Sequence, residues 1–383
     1  MLLTTPQYIN ALNDTYGLTR TLGVIDVLRD ADGRPEFRVG NSSVIFRIRH
    51  EGRTCMLKCY TRPKRNLREI YGQRCLHDEL YIHTDRRHGQ WVDVVLDEWI
   101  EGETLQSAIA RHAGDCLEIG RLAVAFDRMA LHLLEQEWAH GDLKPENMIV
   151  TPGGEIRLID FDAMFSPEFA GQRSEETGTA AYQHPSRTAE YFDRTIDDYP
   201  IALISTALHA MAADASLHER FDTDEVLLIS PREAVTGRSR ALDEILGLFA
   251  SECMAVQYRI ARLLRSQSPV LFGLKELIEY GTRCSSNESG EPCLENRDGL
   301  WGYADGGKFV IPPLYDCGFD FSEGLAAVRL ADCWSFIDRS GRAAIRCGRC
   351  DAVKPFRNGK ATIVRNGKRY ALDRTGRAGE LEY

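Results

Sequence analysis

The 383-residue sequence contains no apolar run near the ~20 residues that a membrane-spanning helix requires, so no membrane partner is expected. Its opening stretch, MLLTTPQYINALNDTYGLTR, lacks a basic segment followed by an apolar core, and no export signal is read there. Positive charge is in deficit. The 47 Lys and Arg against 57 Asp and Glu leave a formal net charge of -10. That counts against nucleic acid as a partner, because phosphates attract a basic face. Paired cysteine patterning is also missing. The 11 cysteines are odd in number and scattered, so they are expected as reduced thiols in the cytoplasm. The close pair Cys347 and Cys350 in CGRC falls short of a zinc site, which wants four ligands. Cys317 and Cys333 are the candidates to complete it, and unliganded core or surface cysteines are the simpler reading.

What is present supports a sizeable core, with 43% hydrophobic and 27% charged residues. In SVIFRIRH, Val44, Phe46 and Ile48 alternate as on one face of a strand, and CMLKCY follows after the turn EGR. Residues 64–82 are rich in charge and helix formers, and DVVLDEWI (93–100) is a further apolar strand. Leu122, Phe126, Met129 and Leu133 recur at helical spacing. MIV and IRLID flank the turn TPGG as a hairpin, and 195–282 is mostly helical. A polar, aperiodic stretch at 283–298 reads as a linker. Beyond it the chain repeats itself. LWGYADGGKFVI at 300–311 is echoed by CWSFIDRSGRAAI at 333–345 and KRYALDRTGRAGE at 368–380, a period that signals a structural repeat of short strands. Domain boundaries are therefore expected at 1–92, 93–282, 283–298 and 299–383.

Chemistry concentrates in HGDLKPENMIV, residues 140–150, where Asp142, Lys144 and Asn147 stand within six positions. A carboxylate two residues before a Lys can accept a hydroxyl proton while the Lys neutralises a transferring phosphoryl group. An Asn carbonyl can hold Mg²⁺, a hard ion that prefers oxygen. A second hard ligand is required nearby, and Asp160 in RLIDFDAMF fits. Positioning and charge neutralisation are the main requirements of phosphoryl transfer.

HGDLKPENMIV together with LIDFD resembles the catalytic loop and metal-binding segment of the eukaryotic-like protein kinase family, Ser/Thr branch, over roughly residues 20–282. The resemblance implies an α+β, bilobal kinase-like fold that binds ATP and Mg²⁺ and acts on a protein substrate. It implies Asp142 as catalytic base, Lys144 on the γ-phosphate, and Asn147 and Asp160 on the metal. Lys58 would hold the α- and β-phosphates and pair with a helical glutamate, Glu69 or alternatively Glu79. The Glu98 carbonyl and Ile100 amide would meet adenine. RVGNSSVIFR would cover the phosphates with Gly40, Asn41, Ser42, Ser43 and Ile45, although Gly40 is its only glycine. GTAAYQHP (178–185) resembles the end of an activation segment, and Asp197 the helix aspartate that braces the loop.

Several positions depart from the family. Gly141 replaces an Arg that pairs with an activation-loop phosphate, which implies activity independent of phosphorylation at Ser174, Thr177 or Thr179. Asp162 replaces a glycine, Ser186 a glutamate, and Asp97 falls where burial would demand a partner. Two other readings stay open: a small-molecule kinase of the aminoglycoside or choline type, and a catalytically silent nucleotide-binding scaffold. The tail resembles the WG-repeat family, named for a pair like Trp301-Gly302. That resemblance implies a β-repeat used for protein interaction. Three short repeats make a marginal core alone, so they are expected to dock on the helical part. Trp301, Trp334, Phe321 and Phe356 are expected to fill its core.

Overall fold

The computed structural model describes residues 2–13, 15–40, 42–85, 87–223, 226–282 and 292–381. It is a mixed α/β chain ending in an all-β region of small sheets. It divides into two compact units, residues 1–102 and 103–383.

The first unit is a twisted antiparallel sheet with helix α1 (Thr5–Asn13). Its strands are β1 (Asp26–Val27), β2 (Phe37–Val39), β3 (Ser43–His50), β4 (Arg53–Tyr60), β5 (Cys75–His83) and β6 (Gly89–Glu98), in the order β1-β3-β4-β6-β5 with β2 also on β3. The alternation read in β3 is real: Val44, Phe46 and Ile48 are fully buried and pack with Tyr8 and Leu12 of α1. The Tyr8 hydroxyl donates to the Tyr60 carbonyl at 2.6 Å, which satisfies the one polar atom that α1 buries there. The alternate residues of β3 point to the opposite face, where Ile45, Lys58 and Val95 stand in register across β3, β4 and β6.

Residues 64–82 correct the expectation of a helix. Helix α2 covers only Leu67–Tyr71 and stops at Gly72, whose φ of 56° favours glycine. The chain then enters β5, because Leu80 and Ile82 alternate toward the core. Helix-forming composition yielded to that alternation. The strand within 93–100 also completes the first unit's sheet as β6.

The second unit opens with β7 (Glu103–Thr104), α3 (Leu105–His112) and α4 (Cys116–Leu134). Asp115 caps α4 by accepting from the Leu117 and Glu118 amides. The hairpin β8 (Met148–Val150) and β9 (Ile156–Leu158) pairs as the sequence suggests, Met148 opposite Leu158. Six helices follow: α5 (Asp198–Ala213), α6 (Ser216–Phe221), α7 (Pro231–Val235), α8 (Arg240–Ser251), α9 (Ala255–Leu263) and α10 (Leu274–Thr282). Helix α5 is apolar nearly all round and runs through the centre of the unit, as a helix buried on every side should. Among the described residues no helix is long and apolar enough to cross a membrane.

Three small antiparallel sheets end the chain: β10–β12 (Cys293–Arg297, Leu300–Asp305, Lys308–Tyr315), β13–β16 (Cys317–Gly318, Ala326–Leu330, Cys333–Ile337, Ala343–Arg349) and β17–β20 (Ala352–Arg357, Lys360–Arg365, Lys368–Asp373, Ala378–Glu380). Strand β10 lies inside the stretch read as linker, and 283–291 falls outside the described residues. Trp334 and Phe356 are buried between the second and third sheets, and Trp301 and Phe321 are half-buried against the main core, as the core-filling reading expects. Gly302 shows why the Trp-Gly pair carries glycine: a Cβ there would lie 2.6 Å from the Ile311 carbonyl oxygen at a bulge.

The repeats share one hydrophobic core with the helices, with Tyr303, Ile311 and Tyr315 in the same cluster as Phe249 and Ile260. The buried Arg259 guanidinium locks this seam. Its Nε donates to the Leu314 carbonyl at 2.7 Å and its Nη2 to Asp316 at 2.9 Å. Arg346 adds a bond to Glu252 at 3.1 Å on the exposed edge. Replacing Arg259 with Met should cost about 3 kcal/mol, because Asp316 and a buried carbonyl lose their partner. Chemical denaturation checks this, and an unchanged midpoint would show that the seam does not depend on the guanidinium.

Asp198 offers a pH test. Burial pushes its carboxyl up to about 7 from an ordinary 3.8, with the neighbouring Asp197 adding to the shift and the Leu271 amide opposing it. A carboxyl that binds its proton more tightly when folded contributes stability that is full below pH 3.8 and is lost as pH rises through about 7. Asp198→Asn keeps an acceptor for the Leu271 amide and abolishes that loss. Its melting temperature relative to wild type should rise steadily between pH 4 and 7, and a flat difference would refute the assignment.

Candidate functional site

The loop after α4 is built from the backbone outward. Ala139 and Phe165 exchange backbone hydrogen bonds of 3.0 and 2.9 Å, which anchor the loop's start. His140 is fully buried. Its Nε2 meets the Ile159 carbonyl at 2.9 Å, while its Nδ1 accepts from the Asp142 amide at 3.3 Å. The two contacts together require the neutral tautomer protonated on Nε2. Asp197 lies beneath, as its place before α5 suggested. It accepts from the His140 amide and, at 2.9 Å, from the Gly141 amide.

Gly141 has φ of 84°, and a Cβ there would stand 2.1 Å from the Ala163 carbonyl oxygen. No side chain fits, so the position cannot carry an arginine.

Asp142 is held from three sides. Its Oδ1 accepts from the Thr179 amide at 2.6 Å, its Oδ2 from Asn147 Nδ2 at 3.2 Å, and Lys144 Nζ approaches Oδ2 at 3.6 Å. Lys144 also donates to the Thr179 hydroxyl at 3.1 Å. Asn147 spends its Nδ2 on Asp142, including the backbone carbonyl at 2.9 Å. Pairing continues past the hairpin, where the Ile159 amide donates to the Asn147 carbonyl at 3.0 Å. This brings Asp160, the next residue, beside Asn147; it is exposed and left-handed, with φ of 66°. Asp142, Lys144 and Asn147 thus form one cluster within the second unit, and the backbone carrying Asp160 pairs beside it.

The remaining expected residues lie in the first unit. Lys58 is buried to 1% exposure, its Nζ 3.4 Å from the Tyr71 hydroxyl and near the Tyr60 and Tyr71 rings. The glutamate expected beside it is corrected. Glu69 is exposed on the short α2 and forms no ion pair among the described residues. Glu79 is buried, but its carboxylate binds the Arg20, Thr21 and Leu22 amides and so fastens the 20–22 turn instead. Gly40 and Ser43 close the β2–β3 turn, with the Gly40 amide donating to the Ser43 carbonyl at 2.8 Å. The Ser42 carbonyl accepts from the Thr61 amide, and Ile45 is half-buried on the face of Lys58. Asn41 lies outside the described residues. Glu98 is exposed at the end of β6, and Ile100 follows it half-buried outside any strand. Asp97 is half-buried rather than buried, and it accepts from Arg74 at 2.6 Å in an exposed contact.

The four cysteines weighed as zinc ligands form no three-ligand group among the described residues. Cys347 is buried, and the Cys350 thiol is 3.6 Å from the Cys347 carbonyl.

Three residues take roles here that motif reading did not give them. Thr179 supplies the amide on Asp142, Gln183 is buried behind it, and Arg187 donates to the Gly141 carbonyl at 2.8 Å.

A family model described as WG containing repeat matches residues 301–332 and 334–368, and the chain carries WG repeats at its C-terminal end. A stretch of 92 residues is 30% identical to a Dictyostelium discoideum protein named probable serine/threonine-protein kinase mkcF. That stretch is 24% of this chain and 13% of the relative, a distant and partial likeness.

Gly141→Ala should destabilise the second unit by at least ~2 kcal/mol, since the methyl group must displace Ala163 or distort a left-handed backbone. A thermal melt reads the loss, and a melting temperature equal to wild type would contradict the close approach.

Proposed function

We propose that the chain is an ATP- and Mg²⁺-dependent Ser/Thr protein kinase of bilobal fold, with the WG repeats as an interaction module. The observation that carries this reading is the Asp142–Lys144–Asn147 cluster, supported by the partial likeness to a Ser/Thr kinase. Asp142 accepts the substrate hydroxyl's proton as it attacks. Its carboxylate is oriented for that by the Thr179 amide and Asn147 Nδ2. Lys144 steadies the γ-phosphoryl charge, and its hydrogen bond to Thr179 keeps it extended beside Asp142.

The donor set fits a hard cation. Asn147 has committed Nδ2 to Asp142, which leaves Oδ1 for a cation, and Asp160, one residue past the backbone pairing of Ile159 with Asn147, would supply a carboxylate. Mg²⁺ held there would neutralise phosphate charge and fix the phosphates' geometry. In the first unit, Lys58 would take the α- and β-phosphates, Gly40, Ser42, Ser43 and Ile45 would cover the nucleotide, and the Glu98 carbonyl and Ile100 amide would meet adenine.

One observation favours a second reading, a nucleotide-binding scaffold without transfer: α2 is only five residues long and Glu79 is spent on the 20–22 turn. Incubation with Mg²⁺ and γ-labelled ATP, with and without casein, separates the two. Asp142→Asn should lower transfer by roughly 10²–10⁴-fold, the usual loss when a general base is removed. ATP binding without label transfer by the wild type would establish the scaffold reading instead.

A further inference from the structure

We propose that Arg187 is a positioning residue for Asp142, clamping the peptide that carries it to the 178–187 segment; this rests on the kinase reading above. The argument begins at Gly141. Since only glycine fits there, the backbone entering Asp142 has no side chain of its own to anchor it. A base must be held to a fraction of an ångström, so groups outside the loop have to fix that backbone.

Two clamps do so. Asp197 takes the amide of Gly141 at 2.9 Å. Arg187 Nη1 takes its carbonyl at 2.8 Å. That carbonyl belongs to the same peptide whose amide, on Asp142, points to His140 Nδ1 at 3.3 Å. The peptide plane is thereby fixed at both its oxygen and its nitrogen.

The same Nη1 also donates to Gln183 Oε1 at 2.5 Å. Gln183 lies in the segment whose Thr179 amide binds the Asp142 carboxylate and whose Gly178 packs against the Gly141 carbonyl. One guanidinium therefore joins the backbone of Asp142 to the segment that grips its side chain.

The arrangement is costly, which argues that it is not incidental packing. Arg187 Nε and Nη2 and Gln183 Nε2 are buried with no hydrogen-bond partner among the described residues. Burial lowers the arginine's proton affinity, and Asp197 and Asp142 counter that.

The test is steady-state phosphate transfer from Mg²⁺·ATP to casein by the full chain. Arg187→Met should lower kcat by about 10²-fold, the scale of a 1 Å misplacement, with KM for ATP within about twofold. Arg187→Lys, which keeps a donor and the charge, should recover about tenfold of the loss. The proposal is overturned if folded Arg187→Met keeps wild-type kcat, if its loss appears in KM instead, or if Lys does no better than Met. Should Arg187→Met fail to fold, Arg187→Lys alone decides: a lowered kcat at unchanged KM supports the clamp, and an unchanged kcat overturns it. Should the wild type transfer no phosphate, the kinase reading falls by itself. Melting temperatures of Arg187→Met, Asp142→Asn and the double variant then decide. Non-additive shifts uphold the tie between the two residues, and additive shifts overturn it.

Discussion

The loop of the candidate site depends on the carboxylate of Asp197. It is buried at the start of α5 and accepts from two consecutive backbone amides, those of His140 and Gly141. A carboxylate with no water needs such donors, and a loop with no helix or ladder of its own needs such an acceptor. Each resolves the other's deficit. The loop's curvature follows from that pairing, and the curvature brings Gly141 against Ala163 until no side chain fits between them. Everything displayed on the loop, Asp142 first, inherits its position from a residue far along the chain on the most buried helix.

A second dependence joins the helices to the repeats. Three small sheets cannot each enclose a core of their own, and a repeat unit stabilises itself by stacking on neighbours. Here the first sheet and part of the second use the helices as that neighbour, with Arg259 satisfying Leu314 and Asp316 at the join. The second and third sheets then pack on each other through Phe336, Phe356 and Trp334. Trp301, Phe321, Trp334 and Phe356 are occupied with packing.

The first unit shows what happens when a local preference meets a stronger tertiary one. Residues 64–82 have the composition of a helix, yet only five of them form α2. Gly72 provides the stop, and the sheet recruits Cys75–His83 because an added strand buries Leu80 and Ile82. Glu79 goes with that strand and is spent on the amides of the 20–22 turn. A helical register in the sequence thus could not predict a partner for Lys58.

By itself the sequence determined the elements whose patterns are local: the alternation of β3, the 3.6-residue period of α4, the β8–β9 hairpin and the repeating Trp-Gly strands. It also determined which residues could do chemistry, because Asp142, Lys144 and Asn147 lie within six positions and Asp160 lies just past the hairpin. Tertiary structure alone decided what holds them. Asp197, Thr179 and Arg187 reach the loop from 37 to 56 residues away, and hydrogen bonds over such separations leave no periodicity to read. Gly141 could be seen as a departure from a family pattern, but its cause, the carbonyl of Ala163, exists only once the chain has folded back on itself.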